Sequence, residues 1–504
     1  MSISLLLEMA ASSNPDRPAV VSEGHSGALR LTTQQLSDLA DGGAGVIAGS
    51  NAQHVVYVGT GGAMLPVLIF AAARAGLPFT PLNYRLSADG IRALIERLPE
   101  PLVIVDDRYR DMVGDAPGRL MTTDQFLAAA RDAEPAAEFP DPDSVAVVLF
   151  TSGTTSQPKA VELSHNNLTS YVTGTVEFES ADESDAALIC VPPYHIAGVG
   201  AALSNLYAGR KMVYLPNFDA REWVRLINAE NVTTATVVPT MLDRIVATLE
   251  AEGHELPSLR NLAYGGSKVG LPLVRRALEL LPGVGFVNAY GLTETSSTIA
   301  VLTPDDHRAA QAAKGPDQKK WARRLASVGR PVPGIEIEIR DEDGNVLGPG
   351  QTGELFVRGE QVSGRYTGIG SVLDQNGWFP TRDVAMLDED GYLFIGGRSD
   401  DTIIRGGENI APAELEEVLV EHPHVRDVAV VGVEDAQWGQ AIVAVVVPRP
   451  GADPDPEELR EHVRKSLRGS RTPDRVVFRD ELPTTPTGKV LRREIIETLE
   501  GLRA

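Results

Sequence analysis

Hydroxyl side chains crowd around one glycine in the stretch Thr151-Ser152-Gly153-Thr154-Thr155-Ser156, and Pro158 and Lys159 follow. An apolar run ending at Phe150 leads in and a second starts at Val161, so the stretch reads as strand, polar loop, strand. Backbone N–H groups and hydroxyls in such a loop can donate to phosphate oxygens, and Lys159 adds a point charge. A hairpin turn with a solvated lysine has the same composition, so the rest of the chain has to decide.

Several other chemical signatures nearly match and fail on a residue or on their context. Gly488-Lys489 is followed by Val490, where a P-loop needs Ser or Thr. Gly43-Ala-Gly45 falls in a helix-like stretch, whereas a dinucleotide fingerprint follows a strand. Val269 stands where the second glycine of G-x-S-x-G would be. Ser156-Gln-Pro-Lys159 matches S-x-x-K of serine acyl-enzymes, but Pro158 would sit inside the helix that motif opens, and no K-T-G follows.

With 504 residues, 43% of them hydrophobic, the chain can bury more than one core. Its net charge of −23 argues against broad nucleic-acid or anionic-membrane binding, so an anionic ligand needs a local basic site. The single cysteine, Cys190, can form no internal disulfide, and its apolar neighbours suggest a buried strand position. With no metal-ligand cysteine spacing, no signal-peptide pattern and no bilayer-length apolar run, a reducing, cytoplasmic setting is expected.

The elements that must position this chemistry alternate. Thr32 or Thr33 caps a helix, Val55–Val58 is a strand, Met64–Ala75 a helix stopped by Gly76, and Leu102–Val105 a further buried strand. Such β-α-β-α order favours an α/β fold of layered sheets, with ligands gathering where loops leave the strand carboxyl ends. Pro192-Pro-Tyr-His195, Gly265-Gly266 and Tyr290-Gly291 are such loops. Residues 304–326 read as a solvated, charged interval. From Ser327 short strands and Asp-Gly turns predict an antiparallel β unit, and after Gly397 a small α+β domain with a basic end follows. Two domains are expected, 1–397 and 398–504.

The hydroxyl-rich stretch resembles the phosphate loop of the acyl-adenylate-forming superfamily, which holds acyl-CoA synthetases, luciferases and peptide-synthetase adenylation domains. Tyr290-Gly-Leu-Thr-Glu294, Gly377-Trp-Phe-Pro-Thr-Arg-Asp383, Gly397-Arg-Ser-Asp-Asp401, Gly406-Gly-Glu-Asn-Ile410 and Pro486-Thr-Gly-Lys489 resemble further motifs of that family, in the same order along nearly the whole chain. The resemblance implies a two-step acid-thiol ligase. A carboxylate attacks the α-phosphate of ATP to give an acyl-adenylate and pyrophosphate, and a thiol, that of coenzyme A or of a carrier protein acting in trans, then displaces AMP.

By that resemblance Thr151, Ser152, Gly153, Thr154, Thr155 and Lys159 hold the β- and γ-phosphates. Thr293 contacts the α-phosphate and Glu294 holds Mg²⁺. Tyr290 and Gly291 flank the adenine, and Gly265 and Gly266 let the backbone approach adenine and acyl group. Asp383 and Arg398 bind the ribose. Lys489 bridges carboxylate and α-phosphate during adenylation. Asp400 is the hinge about which a mobile small domain turns, exchanging Lys489 for the Gly406–Gly407 hairpin that forms a pantetheine tunnel. His195 resembles the gate beside the acyl pocket, the alternative being a satisfied strand-end histidine.

Four positions depart from the family pattern, one of them Arg471, which stands where the family usually has a lysine near Ser470 and is still cationic. Ser156 and Ala160 replace glycines of the phosphate loop, which suggests a stiffer loop because a Cβ restricts positive φ. Arg382 replaces the glycine before Asp383. The small Ala289 and the apolar Val238, Leu292, Ile299 and Val301 favour an aliphatic or aromatic acyl tail, a medium- or long-chain fatty acid foremost. Lys268 keeps a dicarboxylate open. An aromatic-acid ligase, a carrier-protein ligase, and a non-catalytic nucleotide-binding relative remain alternatives, as does a homodimer.

Overall fold

The computed structural model describes residues 1–504 except 25–26, 137–139, 152–157, 406–407, 436–437, 468–470, 486–487 and 502–504. Ser152, Gly153, Thr154, Thr155, Ser156, Gly406, Gly407, Pro486 and Thr487 therefore lie outside the described residues.

Local signals act where the sequence places them. Thr32 accepts from the backbone of Gln35, whose side chain returns the bond, a capping box that starts the helix Thr33–Ala48. The helix Met64–Arg74 is buried on every face, as a helix apolar all round must be, and Gly76 turns the chain away at φ +68°.

Two large sheets form the body of the chain. The first has nine strands, in the order Arg330–Pro331, Ser297–Leu302, Gly285–Leu292, Asn261–Gly265, Thr234–Val237, Ala186–Ile189, Lys211–Tyr214, Pro18–Gly24 and Gly27–Thr32. Its six inner strands are parallel. The second has eight strands, with Val145–Thr151 parallel to Phe79–Leu82 and antiparallel to Lys159–Ser164. One apolar core fills the space between the sheets: Val20 and Met212 of the first meet Val55 and Val147 of the second through Ile3, Leu36, Leu65, Leu168 and Val199 of five intervening helices. Separate cores cover the outer faces, giving a five-layer αβαβα body.

A four-stranded antiparallel sheet, Glu336–Arg340, Thr352–Arg358, Phe379–Leu387 and Leu393–Arg398, packs on Ile299 and Ala300 of the first sheet. The last sheet joins Glu408–Ile410, Ile403–Arg405, Gly439–Pro448, Val425–Asp435 and Arg475–Phe478. The helices Pro412–Val420 and Pro456–Ser466 cover one of its faces and Arg492–Gly501 the other. The mixed α/β architecture follows the expectation. The four-residue strand Arg475–Phe478 and the last helix are additional to it; the sequence suggested only a basic end. Among the described residues no helix is long and apolar enough to cross a membrane.

Two expectations are corrected. Ala160 does not stiffen a loop: it lies in the strand Lys159–Ser164, opposite Phe150, with its methyl buried and its carbonyl accepting from Thr367 N–H at 2.9 Å. An extended backbone holds any residue, so the Cβ there costs nothing. The interval 304–326 forms two helices, Pro304–Ala312 and Pro316–Arg324, and is not uniformly solvated. Arg324 is buried between the Tyr392 and Trp321 rings and pairs with Asp388 and Asp390. Charge runs predict solvent only when no carboxylate waits across the interface.

Arg324→Ala should therefore lower stability by about 3 kcal/mol, since it leaves carboxylates facing an emptied cavity. Lys320→Ala removes an exposed partner of the same Asp390 and should cost less than about 1 kcal/mol. Urea midpoints of the two variants compare them directly, and equal losses would refute the buried-pair reading.

Candidate active site

Four adjacent parallel strands of the first sheet end along one edge, at Ile189, Val237, Gly265 and Leu292. The loops that follow bring His195, Val238 to Thr240, Gly266 to Lys268 and Thr293–Glu294 to that edge. Two backbones cross closely enough there to exclude side chains. A Cβ on Gly265 would lie 2.1 Å from the carbonyl oxygen of Ala289, and one on Gly291 would lie 1.8 Å from that of Ser297.

Next to this edge stands a buried carboxylate. Asp383 is 4% exposed; the Tyr290 hydroxyl donates to its Oδ2 and Arg398 donates to its Oδ1 at 3.2 Å. Arg398 also donates to the carbonyl of Thr381 at 3.0 Å. Burial raises the Asp383 pKa above the usual carboxylate value, against the pull of Arg398, and raises the Tyr290 phenol well above its own. Arg382, just before it, takes φ +64°, a conformation suited to the glycine it replaces.

Lys489 faces this cluster from the small domain. The residue is exposed, and desolvation, with Arg398 as a neighbouring cation, lowers its pKa against the pull of Asp401 and Asp383. Gly488 holds φ +78° beside the side chain of Thr240, which lies in the first turn of the helix Pro239–Glu252.

Thr151 and Lys159 pair across the mouth of the hydroxyl-rich loop. The Lys159 ammonium lies 5.6 Å from the centre of the Tyr366 ring, and the Tyr366 hydroxyl donates to Glu294 Oε1 at 2.8 Å. Tyr366 thus links the loop to Glu294, a connection that no motif announced. Gln361 was missed as well: buried, it donates to the carbonyls of Thr295 and Thr298 at 2.9 Å and fixes the turn carrying Thr293 and Glu294. Both lie in a segment whose composition resembles any polar connection.

The remaining candidates separate. Asp400 is exposed on the one-turn helix Ser399–Asp401, between the last strand of the four-stranded sheet and the first described strand of the small one. Lys268 does not stand free for an acidic substrate: it pairs with Glu417 of the small domain at 2.6 Å and donates to the Ala413 carbonyl at 3.4 Å. His195 precedes the helix Ile196–Ala208, its ring 4.8 Å from that of Tyr194, and its shielded Nε2 has no partner among the described residues. Cys190 is buried as expected, its thiol pushed up to about 12 by desolvation.

The parallel-sheet edge, the buried Asp383 with its Arg398 partner, and Lys489 of the small domain thus stand together. The chain matches the AMP-binding enzyme family over residues 7–367 and the AMP-binding enzyme C-terminal domain over 414–489. It is 34% identical to a feruloyl-CoA synthase of an Amycolatopsis species, covering 96% of each chain. It is 31% identical to the fatty acid–[acyl-carrier-protein] ligase ScoC of Streptomyces coeruleorubidus, over 97% of this chain and 95% of that one. The structure of ATP-bound MatB from Rhodopseudomonas palustris superposes with a TM-score of 0.87 at 26% identity, over all of both chains. The chain belongs to the AMP-binding enzyme family of the acyl-adenylate-forming superfamily, and it is an AMP-forming acid-thiol ligase.

Burial lowers the His195 pKa to about 4 from an ordinary 6.5. The unfolded chain gains this proton as pH falls through 6.5 and the folded chain resists it, so the associated stability is present above 6.5 and is lost toward pH 4. His195→Gln should flatten the fall of the thermal midpoint across this window; an unchanged slope would show that His195 does not contribute to it.

Proposed function

We propose that this chain is an ATP-dependent acyl-CoA ligase acting on a medium- or long-chain fatty acid, and that Lys489, Arg398, Asp383 and Tyr290 form the centre of its first half-reaction. The observation that carries the proposal is the convergence of Lys489, from the far end of the chain, with the Asp383–Arg398 pair.

A carboxylate is a poor electrophile. In the first step its oxygen attacks the α-phosphorus of ATP, the bond to pyrophosphate breaks, and the acyl group gains AMP as leaving group. Negative charge gathers on the phosphates, so cations and donors there lower the barrier. Lys489 holds the incoming carboxylate against the α-phosphate, offsetting the repulsion of two anions. Thr293 donates to the α-phosphate. Thr151 to Thr155 and Lys159 hold the leaving pyrophosphate. Asp383, though bonded to Tyr290 and Arg398, retains carboxylate lone pairs for the ribose hydroxyls, and Tyr290 and Gly291 lie beside the adenine.

Glu294 suits Mg²⁺, which keeps most of its waters and takes one or two carboxylates plus substrate phosphates; that ion would neutralise phosphate charge. Tyr366 aims the Glu294 carboxylate by occupying Oε1. In the second step the coenzyme A thiol attacks the acyl carbonyl and AMP departs. The small domain, taken as 398–504, turns about Asp400, withdraws Lys489 and presents the Gly406–Gly407 segment to pantetheine.

The acyl tail is read from what surrounds the strand ends. With Lys268 engaged by Glu417, no free cation among the described residues of that loop awaits a second carboxylate. The apolar Val238, beside Gly266, and the small Ala289 suit an apolar tail there. A second reading, an aromatic acid bearing a ring hydroxyl, draws on the buried His195 Nε2 and Ser267 Oγ, which lack partners among the described residues and would gain one. The relatives include ligases of both kinds, and the one acting with an acyl carrier protein makes a carrier thiol the rival acceptor.

Lys489→Ala should abolish ATP–pyrophosphate exchange while ATP still binds; undiminished exchange would remove Lys489 from the mechanism. In the unchanged enzyme the exchange rate should fall on the alkaline side at a pH below the ordinary lysine value of 10.5, because the cationic form is required and its pKa is lowered. Pyrophosphate release over a panel of aliphatic, hydroxycinnamic and dicarboxylic acids identifies the tail, and turnover confined to the aromatic acids would overturn the fatty-acid reading. Coenzyme A against a holo-carrier identifies the acceptor.

A further inference from the structure

Away from the cleft, the small domain gathers three histidines and a carboxylate. The connection between the helix Pro412–Val420 and the strand Val425–Asp435 carries His422 and His424, and the first turn of the helix Pro456–Ser466 carries Glu458. One ligand atom from each of His422, His424 and Glu458 lies within 4.8 Å of the others. His422 Nε2 is 3.4 Å from Glu458 Oε1. The His424 ring stands 5.3 Å from that of His422, and the His462 ring 5.1 Å from it on another side. His462 Nε2 donates to the Val418 carbonyl at 3.0 Å, which holds that imidazole outside the set of three.

We propose that His422, His424 and Glu458 form a divalent-metal site of the zinc type. Two imidazoles and one carboxylate are a donor set that Zn²⁺ takes with a fourth position left to water. Bond lengths near 2.1 Å to nitrogen and oxygen require the donors to close from their present spacing by small side-chain rotations. His424 and Glu458 are exposed and free to make them, while His422, 5% exposed, is the fixed point. Binding at His422 Nε2 moves its proton to Nδ1. The 3.3 Å contact from the His424 amide is then given up in exchange for the metal bond.

The location defines what such an ion does. Leu415 and Leu419 of one helix and Leu459 and Val463 of the other share a core on one face of the small sheet. Val490, beside Lys489, packs with Leu482, Ile495 and Leu499 on the opposite face. The ion ties together two helices of the domain that presents the lysine and takes no part in the transfer itself. It is a staple from outside the core, stabilising the folded form by binding it preferentially.

The test uses untagged full-length enzyme in excess Mg²⁺, a hard ion that occupies oxygen sites and leaves imidazoles free. Zn²⁺ titrated calorimetrically should bind with a stoichiometry of one and raise the thermal midpoint, and Co²⁺ should give the visible absorption of a tetrahedral nitrogen–oxygen site. His424→Ala and Glu458→Gln, both at exposed positions that leave the core intact, should each weaken binding by at least about tenfold, since even outer partners of a metal site are worth that much. ATP–pyrophosphate exchange should stay at the unmodified rate in both. Absence of the Co²⁺ absorption, or unchanged Zn²⁺ affinity in the doubly substituted protein, would overturn the proposal.

Discussion

The buried Asp383 carboxylate is the constraint on which the site depends. A carboxyl group removed from water must be given partners or lose its charge. Its partners come from separate parts of the fold: Tyr290 from the edge of the nine-stranded sheet, and Arg398 from the last residue of the four-stranded sheet before the chain enters the small domain. Satisfying one anion therefore fixes the two sheets against each other at the cleft, and it places a guanidinium where the small domain begins. The same guanidinium depresses the pKa of Lys489, so the field at the cleft is shared between the two domains.

The route from the hydroxyl-rich loop to Glu294 runs through a similar dependence. Tyr366 is paired by backbone with Val161, just beyond that loop, and bonded by its hydroxyl to Glu294. Gln361 holds the turn below. The groups assigned to the two ends of the triphosphate are thus braced by one short segment, 361–367, which contributes no acid, base or nucleophile of its own. A substitution there would act on geometry before chemistry.

What could be read from the sequence followed periodicity and spacing. The layered α/β body was legible because buried parallel strands such as Val55–Val58 are continuous apolar runs, and because caps such as Thr32 and stops such as Gly76 are local. The motif stretches stood out by their resemblance to a family pattern, and the structure joins three of their residues, Tyr290, Asp383 and Arg398, by hydrogen bonds. The burial of Arg324 and the pairing of Lys268 went unseen for one reason: each is a cation whose partner lies far along the chain, at Asp388 and Asp390 for the first and Glu417 for the second. A lone sequence carries no sign of such pairing. Ala160 was misread differently. A rule about glycine was applied to a loop, while the residue sits in a strand where the rule has no force.

The contacts that hold the small domain against the body bear on how one site serves two reactions. The Lys268–Glu417 pair has both side chains about half exposed, and exposed ion pairs contribute roughly 0–1 kcal/mol. Gly488 meets Thr240 through a single side chain. By contrast, the cores on both faces of the small sheet are closed within the domain itself. Turning the domain would break these contacts, together with the approach of Val420 to Gly270, and leave the two cores of the small sheet untouched. Desolvation and the neighbouring cation Arg398 lower the Lys489 pKa, against the pull of Asp401 and Asp383. On the proposed mechanism a bound carboxylate and α-phosphate would add further anions there, so substrate itself would favour the orientation that consumes it. Once pyrophosphate has left and the carboxylate charge is spent in the acyl-adenylate, the lysine loses much of what held it there. The sequence of half-reactions would then follow from the changing charge in the cleft.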